Sequence, residues 1–146
     1  MADPQERLDE SEAITRLNAA LELQYRSALQ HSIVAASLSG LEAQALGEKL
    51  TGFGDEDLSG ARRLIEKIVS FGGEPTTKVA ELRFHADAEE AVAWLVGCEE
   101  EAVEALQEAI EPTGREARSE ALEHMLEHLI MRKQQQIDFL RRATAA

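Results

Sequence analysis

The sequence has few of the residues that mark disulfide-stabilised or β-rich proteins. Its 146 residues include one cysteine and 3 prolines, and 4% of them are aromatic. A single cysteine, Cys98, excludes an intramolecular disulfide, a CxxC redox pair and a thiolate metal site made by this chain alone. We therefore expect Cys98 to be a small buried side chain and the fold to contain almost no β-strand.

Basic residues and long apolar runs are also scarce. The 15 Lys and Arg residues are outnumbered by 28 Asp and Glu residues, which gives a formal net charge of -13. Because clustered basic residues drive binding to phosphates, we expect no nucleic-acid and no anionic-membrane partner. No apolar run approaches the roughly 18 residues of a membrane span, and the polar N-terminal segment does not resemble a signal peptide. A cytoplasmic protein is the expectation.

Ala, Glu, Leu and Arg dominate the sequence, a composition typical of helices. The length suits one domain over residues 1–146, with a core at about residues 11–142. Apolar residues at helical spacing predict four helices, at about residues 11–39, 41–71, 86–110 and 116–142. Ser11 is the expected N-cap of the first helix.

The connections between these helices predict the topology. Residues 76–84 show no clear period, and this stretch is long enough to run the length of a bundle. The other two connections are short, with Ser39 and Gly40 ending the first helix and residues 111–114 ending the third. This order of a short, a long and a short connection predicts an all-α four-helix bundle with one long crossover between helices 2 and 3.

Glycines interrupt the first half of the second helix, at Gly47, Gly52 and Gly54. Glycine is a poor helix former, so we predict a break between Thr51 and Asp55, with Asp55 capping the second piece.

The inward-facing apolar stripe of each helix is interrupted near its middle. The interrupting positions are Gln24, Gly60, Glu99, Lys133 and Gln136. All of them should meet at one level of the bundle. A carboxylate rarely stays buried unless it is paired or binds metal, so this polar layer is the predicted functional site.

Four segments resemble the bacterioferritin branch of the ferritin-like family, one from each helix. They read LNAALELQYRSALQH, ARRLIEKIVSFGGEP, EEEAVEALQEAI and QQIDFL. The resemblance implies the ferritin-like form of the four-helix bundle. It also implies a centre in which one Glu from each of the first and third helices, and a Glu-x-x-His from each of the others, hold two metal ions.

Most of the residues that this resemblance requires are replaced. The corresponding positions are Gln24, Asp57, Gly60, Glu99, Lys133 and Gln136. Only Glu99 keeps the family's residue, while Lys133 puts a cation where a metal ion would bind. That repulsion amounts to several kcal/mol at an effective dielectric constant of about 20. Leu58 stands at the family's haem-binding Met, so the resemblance gives no haem ligand. We therefore predict a degenerate di-iron site without bound cofactor and without ferroxidase activity.

Two buried roles and one exposed role are open for Lys133. It can form an ion pair with Glu99 or Asp57, with Gln24 and Gln136 completing the hydrogen bonds. It can act as a base, since burial lowers the pKa of lysine. If the helix register is shifted, it instead extends its ammonium to solvent.

A second cluster of metal-binding residue types lies on the fourth helix. His124, Glu127 and His128 form an H-x-x-E-H pattern, in which two His residues share a helix face and can take zinc or iron. The competing interpretation is an ordinary solvated helix surface. His31 we interpret as a packing or dimer-interface residue.

These observations favour a non-catalytic ferritin-like protein that acts by association, as a homodimer or with an unknown protein or small-molecule partner. A dimer is favoured over a cage because the sequence ends where the fourth helix ends. The alternative is iron binding, oxidation or storage through a displaced site that combines Asp57 and Glu99 with the His124, Glu127 and His128 cluster.

Overall fold

A computed structural model describes residues 8–110 and 116–144. This part of the chain contains four α-helices and no strand, which confirms the all-α prediction. The helices are α1 (Glu10–Ser37), α2 (Leu41–Ser70), α3 (Ala88–Ile110) and α4 (Ala117–Ala143). The predicted turn at residues 111–114 lies outside the described residues. None of the described helices is long and apolar enough to cross a membrane.

The start of α1 differs from the prediction. Asp9, and not Ser11, is the N-cap, and its Oδ1 accepts a hydrogen bond from the backbone N–H of Glu12 at 3.1 Å. A carboxylate at this position satisfies a free N–H and also interacts favourably with the positive end of the helix dipole. The prediction of Ser11 as the cap was wrong for this reason.

The predicted break in α2 is also wrong, because the helix is continuous from Leu41 to Ser70 and Asp55 lies within it. Gly54 allows α1 to approach closely instead. A Cβ added to Gly54 would lie 3.0 Å from the carbonyl oxygen of Ala28, and one added to Gly47 would lie 3.5 Å from that of Ala35. Packing against α1 at Gly54 therefore outweighs the roughly 1 kcal/mol that a glycine costs in a helix.

The long crossover runs along α1 and is fixed to it by side-chain amides. Asn18 donates to the carbonyl of Glu74 and accepts from the backbone N–H of Thr76. About three turns further along α1, Gln30 donates to the carbonyl of Arg83 at 2.7 Å and accepts from its N–H at 3.1 Å. The crossover thus traverses the bundle in the direction of α1, and α3 starts at the far end.

Around the bundle, α1 packs between α2 and α3, and α4 packs against α3 and more lightly against α2. The buried apolar side chains form two clusters, one that includes Leu17, Leu64 and Leu126 and one that includes Leu50 and Leu95. Each buried leucine contributes roughly 1.5–3 kcal/mol. The polar layer lies between these clusters, so both ends of the core hold it in place.

Alanine substitutions at two glycines test the continuity of α2. Gly52 is exposed and has nothing within 4 Å of an added Cβ, so Gly52→Ala should raise the free energy of unfolding by about 1 kcal/mol. Gly54→Ala should lower it by about 1–3 kcal/mol, because its Cβ meets the backbone of α1. Urea denaturation followed by circular dichroism measures both changes. Destabilisation by Gly52→Ala would contradict a continuous helix.

Candidate functional site at the bundle centre

All four helices contribute to a buried polar layer at the centre of the bundle. Its members are Gln24, Ser27 and His31 from α1, Asp57 and Gly60 from α2, Glu99 from α3, and Lys133 and Gln136 from α4. The inward positions inferred from the helical stripes therefore do lie inside, and Lys133 does not reach solvent, since 1% of it is exposed. Ser27 and His31 are the members that the sequence did not assign to this layer.

Lys133 connects three helices through two short contacts. Its Nζ donates a hydrogen bond to Oε2 of Glu99 at 2.9 Å and another to Oδ1 of Asp57 at 3.0 Å. Both carboxylates are at most 2% exposed. One ammonium group therefore pairs with two buried carboxylates at once. The sequence had indicated an ion pair with either Glu99 or Asp57, and the structure shows both.

The charges around Lys133 argue against a role as a base. Burial on its own would lower the pKa of Lys133, but the negative charges of Glu99 and Asp57 outweigh it and raise the pKa above its usual value of 10.5. Burial likewise tends to raise the pKa of Asp57, yet the charges of Lys133 and His31 hold that pKa below 3.8. Lys133 and Asp57 are thus an ionised pair at neutral pH.

His31 belongs to the polar layer, although the sequence pattern had indicated a packing or dimer-interface residue. It is fully buried, and its Nδ1 lies 2.8 Å from the carbonyl oxygen of Ser27 and 2.9 Å from Oδ2 of Asp57. Nδ1 is therefore within hydrogen-bonding distance of both oxygens, and Asp57 acts on His31 through this contact as well as through its charge. The signal in the sequence was spacing, since residue 31 lies two turns after Gln24 on the same face of α1.

The pKa of His31 reflects this surrounding. Burial works to lower it, but the adjacent Asp57 and the charge of Glu99 prevail and raise the pKa of His31 above its usual value of 6.5. In its protonated form, His31 and Lys133 balance the two carboxylates.

Two glutamines complete the layer. Gln24 Nε2 donates to the backbone carbonyl of Asp57 at 2.9 Å, and Gln136 Nε2 donates to Oδ1 of Asp57 at 3.1 Å. Gly60 provides the space for this arrangement, because a Cβ added there would lie 2.8 Å from Gln24 Nε2. The Oε1 atoms of Gln24, Glu99 and Gln136 have no hydrogen-bond partner among the described residues.

The architecture matches known proteins. A model of the ferritin-like domain matches residues 14–145, which is most of the chain. The chain belongs to the ferritin-like family. The predicted ferritin-like bundle is confirmed.

Solved structures of other ferritin-like proteins have the same fold. A ferritin-like, diiron-carboxylate protein from Bacillus anthracis str. Ames is 25% identical, with a TM-score of 0.86 over 94% of this chain and 98% of that one. Rhodobacter capsulatus bacterioferritin, described with a metal-free dinuclear site and a haem iron, is 21% identical, with a TM-score of 0.78 over 90% of this chain and 82% of that one. No curated protein matches the sequence.

The H-x-x-E-H cluster of this ferritin-like chain does not join the central layer. His124 and Glu127 are exposed on α4, and His128 is half-buried. Among the described residues, the ligand atoms that come close enough to share one metal ion belong to His31, Asp57 and Glu99. The displaced metal site that would combine Asp57 and Glu99 with the H-x-x-E-H cluster is therefore not assembled among the described residues. Cys98 is buried, and burial raises the pKa of its thiol to about 11, as suits a small core side chain.

Removing the Lys133 charge tests the energetic role of the layer. Lys133→Met should lower the free energy of unfolding by about 3–5 kcal/mol, because it leaves two buried carboxylates without their shared partner. Arg141→Met is the control on the same helix, since Arg141 pairs with Glu100 at the surface, and it should cost less than about 1 kcal/mol. Guanidinium denaturation measures both. Unchanged or improved stability in Lys133→Met would contradict the pairing of both buried carboxylates with Lys133.

Proposed function

We propose that this chain is a non-catalytic member of the ferritin-like family that acts by association, as a homodimer, with a lysine in place of metal ions at its centre. The single observation that carries this proposal is the position of Lys133 Nζ, within 3.0 Å of Asp57 and 2.9 Å of Glu99. A fixed positive charge between the two remaining carboxylates does the electrostatic work that bound cations would otherwise do.

The residues present do not fit a pair of metal ions. Lys133 Nζ is already hydrogen-bonded to both carboxylates, and its positive charge would repel a divalent ion placed beside it. At Gly60, where the resemblance implies a histidine, Gln24 and the Leu129 side chain fill the space that an imidazole would need. The amide of Gln136 is a weak ligand at the second expected histidine. Ferroxidase chemistry therefore has no support at this centre.

The face formed by α1, α2 and the crossover supports association. It carries an apolar groove of about 430 Å³ whose nine lining residues include one with a charged side chain, Asp55. In a chain with 29% charged residues, this depletion is typical of the core of a protein interface. Leu29 and Leu58 line the groove and are 47% and 45% exposed. A two-fold axis across this face would place the leucines of each copy in the groove of the other.

Charge substitutions in the groove test the homodimer. Leu58→Glu should convert the wild-type dimer to a monomer, because the buried interface would then contain an unpaired carboxylate. Met131→Glu is the matched control, since Met131 is 49% exposed on α4 and does not line the groove. Light scattering after size exclusion gives the mass, in EDTA and again with added Mn²⁺. A monomeric wild type, or a dimer that needs the metal, would contradict the proposal.

A further inference from the structure

Three side chains at the bundle centre have the composition of a site for one metal ion. One nitrogen of His31 and one oxygen each of Asp57 and Glu99 all lie within 4.8 Å of one another, and all three residues are buried. An imidazole and two carboxylates suit zinc, iron, cobalt or manganese. Because metal–ligand bonds of about 2.0–2.2 Å put two ligands of one ion at most about 4.4 Å apart, small side-chain shifts would complete a coordination sphere.

This group differs from the centre that the family resemblance implies. There the ligand of the first helix stands at the position of Gln24, whereas His31 lies two turns further along α1. The side-chain amide of Gln24 donates to the Asp57 carbonyl, and its oxygen is a weaker ligand than the carboxylate that the resemblance implies there. The imidazole of His31 therefore supplies the nitrogen ligand from a new position.

A cation already sits against two of the three ligands. Lys133 Nζ hydrogen-bonds to Glu99 Oε2 and Asp57 Oδ1, and the side chain is fully enclosed. The Oε1 atoms of Glu99 and Gln136 are buried without a hydrogen-bond partner among the described residues. The group has the ligands for a metal ion and a lysine that competes with it.

We infer that His31, Asp57 and Glu99 form a latent site for a single divalent transition-metal ion, and that Lys133 alone keeps this ion out. The inference rests on the proposed function, in which Lys133 takes the place of metal. It adds the number of ions, one, and the identity of the nitrogen ligand, His31. Removing the Lys133 ammonium should then be enough to turn the chain into a metal-binding protein.

Cobalt titration of a lysine variant tests the site. Lys133→Ala should bind one equivalent of Co²⁺ per chain, with the visible d–d absorption of a protein-bound ion, and Co²⁺ should raise its melting temperature. Wild type should show neither change. The matched variant Lys133→Ala with His31→Gln loses the imidazole and should bind Co²⁺ at least about tenfold more weakly. Lys133→Gln serves as a second variant, because its amide can donate to the carboxylates where alanine cannot.

Each outcome decides between the two proposals. If both lysine variants fold and bind no Co²⁺, or if neither folds even with Co²⁺ present, the latent site is overturned while the metal-free wild type stands. Binding that is unaffected by His31→Gln also overturns it, because the ion then lies elsewhere. Co²⁺ binding by wild type that is lost in His31→Gln would overturn the proposed function instead, since Lys133 would not exclude the ion.

Discussion

Two carboxylates buried at the centre of a helical bundle have to be neutralised, and the other side chains of the centre are arranged to do so. Moving an ionised carboxylate out of water costs several kcal/mol even after the protein relaxes. Asp57 and Glu99 both carry that cost, since neither is more than 2% exposed. Lys133 contacts both, His31 adds a charge contact to Asp57, and Gln136 donates to the same carboxylate. The layer is balanced by side chains of the chain itself.

This balance constrains how the helices fit together more than it adds to stability. A buried ion pair roughly offsets its own desolvation, so the apolar clusters on either side supply most of the free energy of folding. The layer instead penalises misalignment. A shift of α4 by one residue would remove Lys133 from both partners and leave two buried charges unpaired. Close packing of α1 on the glycines of α2 keeps His31 and Asp57 at the same level.

The pattern of apolar residues was sufficient to predict four helices, the long crossover and the inward positions of Gln24, Glu99 and Lys133. Periodicity predicts these features because each helix has to bury one stripe. It failed where a tertiary contact decided the local structure. Gly54 was interpreted as a helix break, although the carbonyl of Ala28 explains the absence of a side chain there. His31 was left out of the site because its role depends on which carboxylate faces it across the bundle.

The metal content of the purified protein tests the central claim, that the Lys133 ammonium stands where metal ions would bind. The chain would be expressed without a tag in medium enriched in iron, manganese and zinc, purified without chelators, and analysed by inductively coupled plasma mass spectrometry. We expect less than about a tenth of an equivalent of any metal per chain, because the two carboxylates are already neutralised without metal. One or two equivalents per chain, lost in Glu99→Ala, would contradict it.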